Sequence, residues 1–95
     1  MSYEVMFDPG AAREFRKIPH AYQQHLGDII DNLAENPRPT GADKLTDVEA
    51  YKIRVGEYRI VYAVKDERLI VLVVKVGNRR DVYKDIDTIK RRLRK

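Results

Sequence analysis

The chain has 95 residues, enough for one hydrophobic core and not for two, so a single domain spanning 1–95 is expected. It has no Cys and only two His, His20 and His25, which excludes a disulfide framework and a thiolate metal site; neither a metal nor another cofactor is expected. No apolar run approaches the roughly 18 residues of a membrane span, and the first residues lack the basic start and apolar centre of a signal peptide, so a soluble protein of the reducing cytoplasm is expected, without membrane contact.

The net charge of +4 is unevenly placed: residues 1–47 carry 5 Lys and Arg against 8 Asp and Glu, whereas residues 48–95 carry 14 against 7. The basic half is also the half with most of the strand-like runs, which points to a polyanion or an acidic partner on one side of the molecule.

In chain order, "YEVMF" (Tyr3 to Phe7) is a short β-prone run that stops at "DPG", where Asp8 can cap a helix and Pro9 suits its first turn. A first helix is expected from about Pro9, carrying Ala12 and Phe15 at helical spacing and ending before Pro19. A second carries the stripe Tyr22, Leu26, Ile29, Ile30 and Leu33 and stops at "ENPRP". "TGADKLTDVEA" reads as a loop, and "YKIRV", "YRIVYAVK" and "RLIVLVVKV" as three consecutive strands joined by tight turns. The order βααβββ predicts an α+β fold, with a helix hairpin packed on one face of a mainly antiparallel four-stranded sheet. In "IDTIKRRLRK", Ile86, Ile89 and Leu93 fall at helical spacing; the segment is either a short C-terminal helix or, at "KRRLRK", a frayed basic tail.

The strands raise a question of charge. If Gly56 and Glu57 are the central residues of a type II′ turn, Val55 pairs with Tyr58, Arg54 with Arg59, Ile53 with Ile60 and Tyr51 with Tyr62. One face then collects apolar side chains for the helices, and the other collects Lys52, Arg54 and Arg59. Like charges opposed on a sheet cost from a few tenths to about 1 kcal/mol, so stability alone does not explain Arg against Arg, whereas a bound anion does. In "VGNRRDVY", Gly77 breaks the alternation where the strand finishes, and Asn78, Arg79, Arg80 and Tyr83 follow at the sheet's edge. Arg suits phosphate and Tyr suits stacking on a base, so together with the hairpin these residues point to nucleic acid; a charged edge that discourages aggregation is the plainer alternative. Lys44, in "ADKL", is either an RNA contact or an ordinary surface lysine. Glu14, with Arg13, Arg16 and Lys17, reads as helix surface, and His20 and His25 as surface residues far in sequence from the cationic strands.

"YKIRVGEYRIVYAVKDERLIVLVVKVGNRRDVY", together with "DPGAAREFRKIP", resembles the RelE-type toxins of bacterial and archaeal toxin–antitoxin pairs, and the likeness covers nearly the whole chain. It implies a small endoribonuclease that cuts messenger RNA in the ribosomal A site without a metal. It also implies a cognate antitoxin that wraps around the toxin, in a complex able to bind its own operator DNA through the antitoxin. By that resemblance Lys52, Arg54, Arg59, Arg79 and Tyr83 are the catalytic set, with Tyr83 stacking on the substrate base; Lys44, Asn78 and Arg80 are expected, from their own chemistry and placement, to contact RNA. The implied chemistry is attack of the ribose 2′-OH on the adjacent phosphate to give a 2′,3′-cyclic phosphate, with the cations stabilising the charge of the pentacovalent state.

Two positions depart from the family's pattern. Where relatives often carry Lys as a candidate base this chain has Arg54, whose guanidinium does not deprotonate near neutral pH. Lys52, Tyr83 or a ribosomal group is left to take the first proton. Where many relatives have His this chain has Asn78, which cannot exchange a proton, so Arg79 is the family-based candidate for the acid. The same superfamily includes ParE-type toxins that poison DNA gyrase, and a paralogue that retains only antitoxin binding is the third reading.

Overall fold

The first helix begins as its sequence dictates: the Asp8 carboxylate accepts from the Gly10 backbone N–H at 2.8 Å and Pro9 occupies the first turn. The structure, a computed structural model, describes residues 2–46 and 48–94. Helices α1 (Pro9–Arg16) and α2 (His20–Asn32) form the expected hairpin, with Pro19 between them. Leu26, Ile30 and Leu33, all 1% exposed, seal α2 onto the sheet.

The sheet has five strands where four were expected. They are β1 (Glu4–Phe7), β2 (Ala42–Lys44), β3 (Tyr51–Val55), β4 (Tyr58–Lys65) and β5 (Ile70–Asn78), in the order β1-β5-β4-β3-β2. The extra strand, β2, lies in the segment read as a loop; at three residues it is too short to show alternation, and it forms by pairing with β3. Asp47, also in that segment, lies outside the described residues, as does Lys95 in "KRRLRK". β1 runs parallel to β5 while the other pairs are antiparallel. A shift of register between Val61 and Tyr62 adds one residue to β5, so that Val73 and Lys75 oppose neighbouring residues of β4 with Val74 between them.

Both faces of the sheet are covered. Ile53, Ile60, Tyr62, Val71, Val73 and Val76 meet the helix hairpin, forming the larger core with Leu26 and Ile30. On the other face Ala50, Val61 and Val74 meet Val82 and Ile89. These come from two C-terminal helices, α3 (Arg79–Lys84) and α4 (Ile86–Leu93), split at Asp85. The frayed-tail alternative fails for the described residues, because Arg92 donates to the Val74 carbonyl at 2.9 Å and to Glu14 at 3.0 Å. As a strand β5 is internal, flanked by β1 and β4, but its pairing with β1 stops at Val73; its last residues, Gly77 facing Arg59 and Asn78 facing Tyr58, pair with β4 alone and so lie at a local edge, as expected.

Candidate active site

The β3–β4 register is the one the turn chemistry predicts: Tyr51 faces Tyr62, Ile53 faces Ile60, Arg54 faces Arg59 and Val55 faces Tyr58. Gly56 has a φ of +58° while Glu57 is not in the left-handed region, as a type II′ turn requires. Lys52, Arg54 and Arg59 therefore share the face away from the helix hairpin.

Helix α3 brings the tyrosine to this face. Asn78 caps it, its side-chain oxygen accepting from the Asp81 N–H at 3.0 Å, so that oxygen is committed to the backbone. Val82 plugs the smaller core, and its neighbour Tyr83 projects over the cations with 60% of its surface exposed. Lys52 Nζ donates to the Tyr83 hydroxyl at 3.2 Å and lies 5.0 Å from the ring centroid. The hydrogen bond from Lys52 and then its charge, with a smaller contribution from Arg59, hold the Tyr83 pKa below the usual tyrosine value.

Arg59 is the unusual member. It is 4% exposed, and its Nη1 donates to the carbonyls of Gly56 at 2.8 Å and Tyr58 at 2.9 Å. Its Nε is buried without a partner, and among the described residues the side chain forms no ion pair. A buried cation with an unsatisfied donor is costly unless an anion completes it. Arg54, directly opposite, is exposed. Arg79, at the start of α3, is 59% exposed in its side chain and lies 3.9 Å from the Glu57 carboxylate, while its backbone N–H donates to the Glu57 carbonyl at 2.9 Å.

Lys52, Arg59 and Tyr83 are thus brought together, with Arg54 beside Arg59, and Arg79, Asn78 and Arg80 stand at the β5–α3 corner. That corner borders a cleft of about 860 Å³ whose walls include Tyr22, His25, Tyr58 and Glu57. Lys44 is not part of this gathering: it faces Tyr51, on the helix-hairpin side of β2, and pairs with Glu49 at 3.4 Å. His25, far in sequence from the basic strands, is an exposed surface residue as expected, and it lies in the wall of the cleft with Arg79 and Arg80. Among the described residues no three His, Cys, Asp or Glu gather as a metal ion would require.

Glu14 corrects another expectation. It is not ordinary helix surface, for it accepts from Lys75 at 2.7 Å and Arg92 at 3.0 Å; Lys75 also donates to Asp85 at 2.8 Å, and Arg92 reaches Asp8 at 3.4 Å. This network covers the stretch of β5 beyond the last pairing with β1, and it ties α1 to α4. Burial acts to lower the Lys75 pKa, but its bonds to Asp85 and Glu14 outweigh it and hold the pKa above the usual lysine value. The signal was legible: one Lys inside "VLVVKV" requires carboxylates.

The family described as "ParE toxin of type II toxin-antitoxin system, parDE" matches residues 5–83. The mRNA interferase toxin RelE of Escherichia coli K12 is 36% identical over 90 residues, which span 90% of this chain and 94% of that protein. Among solved structures, a free-state variant of E. coli RelE superposes with a TM-score of 0.79 at 32% identity, covering 96% of this chain and 98% of the other. The toxin in the intact E. coli RelBE toxin–antitoxin complex gives 0.73 at 34% identity, covering 81% and 96%. With this fold, this length and this placement of cations, the chain belongs to the RelE-type toxins of the RelE/ParE toxin–antitoxin superfamily.

Proposed function

We propose that this toxin is a metal-independent, ribosome-dependent endoribonuclease that cuts mRNA in the A site and so stops translation in the cytoplasm. The observation that carries the reading is Arg59, buried, without an ion pair among the described residues and with an unsatisfied Nε on the face shared with Lys52 and Tyr83. A scissile phosphate supplies the missing anion once the exposed Tyr83 moves aside to admit it to Arg59. Relatives named mRNA interferases support the same reading.

In this mechanism the 2′-oxygen forms a bond to phosphorus as the bond from phosphorus to the 5′-oxygen breaks. Arg59 and Arg54 bear on the phosphate oxygens, whose negative charge grows in the pentacovalent state. The 2′-OH proton passes to the Tyr83 phenolate, the form that the hydrogen bond and charge of Lys52 favour, which leaves Tyr83 as the neutral phenol. Arg79 stabilises the departing 5′-oxygen, which takes its proton from solvent. The products are a 2′,3′-cyclic phosphate and a 5′-OH end, and alignment by the ribosome completes the geometry.

A cognate antitoxin of the kind seen in the RelBE complex restrains the toxin, and the pair binds operator DNA through the antitoxin. The second reading is the ParE-type one named above, poisoning of DNA gyrase, in keeping with the matched family being described as a ParE toxin; the pairing of Lys52 with Tyr83 has no evident use in it. Cell-free translation of a defined message, with the new 5′ ends mapped, decides between them. Cuts within A-site codons that vanish with a 2′-O-methyl at the cut are expected; a protein that arrests growth in cells yet leaves the message uncut in this assay excludes the nuclease.

A further inference from the structure

Apart from Arg79, the residues around the cleft at the hairpin end of the sheet have no role in the chemistry above. It lies between α2, the Gly56–Glu57 turn and the β5–α3 corner, and it is walled by Tyr22, His25, Tyr58, Asn78, Arg79 and Arg80. Tyr22 is 53% exposed, unusual for a large side chain on the inner stripe of a helix, and its ring stands 5.5 Å from that of Tyr58 in a tilted pair. Neither Arg79 nor Arg80 is buried, and the one carboxylate in the wall, Glu57, is 3.9 Å from Arg79.

We infer that this cleft is a second RNA subsite, in which a nucleobase flanking the cut stacks on Tyr22 and Tyr58 while Arg79 and Arg80 hold its phosphate; the inference rests on the nuclease reading. Three observations carry it. Tyr58 and Arg59 are neighbours on β4 that point to opposite faces, so a strand whose phosphate meets Arg59 reaches Tyr58 by turning around the end of the hairpin, past Arg79. An aromatic platform beside arginines is the pairing that single-stranded RNA demands, since every base has a stacking face and every step a phosphate. The volume of about 860 Å³ is ample for one nucleotide, and the space closes on its inner side at Leu26, where α2 meets the sheet.

The test uses Tyr22→Ala, with Tyr22→Phe as the conservative control. On ribosome-bound message the alanine variant is expected to raise KM roughly tenfold with kcat nearly unchanged, and the phenylalanine variant to keep both. An abasic nucleotide beside the cut should cost the wild type the same factor and cost Tyr22→Ala nothing more; equal further losses in both proteins overturn the subsite. A non-cleavable 2′-O-methyl pentanucleotide titrated into the free toxin should move the ring resonances of Tyr22 and Tyr58 by NMR, and Tyr22→Ala should abolish the shift. A wild type that shows those shifts without cleaving sinks the nuclease reading and leaves the subsite standing. Cleavage with no shifts and no effect of Tyr22→Ala overturns the subsite alone. A Tyr22→Ala toxin that cuts normally but loses its antitoxin makes the cleft a protein interface and overturns the proposal too.

Discussion

Arg59 presents a trade between stability and function. Replacing it with Met keeps the length of the side chain, removes the buried unsatisfied Nε and gives up the bonds to the Gly56 and Tyr58 carbonyls. Those contributions oppose each other, so Arg59→Met should change unfolding stability by no more than about 1 kcal/mol. Cleavage should fall roughly 10²- to 10³-fold, the cost of losing one charge-stabilising donor. Urea unfolding and cleavage assays measure the two; a large loss of stability with cleavage preserved would make Arg59 a structural residue. Tyr83 and Lys52 give a pH test. Because Lys52 favours the phenolate, the rate should rise with pH through a pKa below the ordinary tyrosine value, and Lys52→Gln should move that limb to higher pH. A limb that stays in place removes Tyr83 from the proton transfer. These side chains were legible before any coordinates, since the residues of the turn set the register that opposes Arg54 to Arg59. The burial of Arg59 was not, because it depends on how α3 lies across the sheet.

At the scale of elements, the long β3, β4 and β5 and the α1–α2 hairpin follow from alternation and helical spacing, whereas β2, the bulge at Val61 and Tyr62, and the parallel β1–β5 pairing do not. Only the β1–β5 pairing joins strands distant in the chain; β2 and the bulge arise in pairing with the next strand, which the pattern within one short segment does not specify. The docking of α4 offers a prediction with an unexpected sign. Ala in place of Gly within a helix usually stabilises by about 0.5–1 kcal/mol. A Cβ at Gly10, however, would collide with the Arg92 guanidinium, which is only 15% exposed and is held by Glu14, Asp8 and the Val74 carbonyl. Gly10→Ala should therefore destabilise the wild type by about 1–2 kcal/mol and stabilise an Arg92→Ala background. Thermal or urea unfolding of the four proteins closes the cycle; additive effects would show that Arg92 moves aside freely.

For the whole molecule the decisive property is where the charge lies. The excess of cations in residues 48–95 was evident from composition, and the fold concentrates part of it, with Lys52, Arg54 and Arg59 on one sheet face and Arg79 and Arg80 at the adjoining corner. If this side meets RNA phosphates, binding of a non-cleavable 2′-O-methyl oligonucleotide must release condensed counterions. The logarithm of its affinity should then fall linearly with the logarithm of salt concentration, at about −0.7 per phosphate neutralised on a single strand. Three or four engaged cations give a slope of about −2 to −3. Arg54→Ala should reduce its magnitude by roughly 0.7, since Arg54 is exposed and acts on the phosphate as a charge, whereas Lys44→Ala should leave it unchanged, because Lys44 stands on the opposite face, paired with Glu49. Fluorescence anisotropy across a salt series gives the slopes. A flat dependence, or equal effects of Arg54→Ala and Lys44→Ala, would mean that the basic side of the molecule is not where RNA binds.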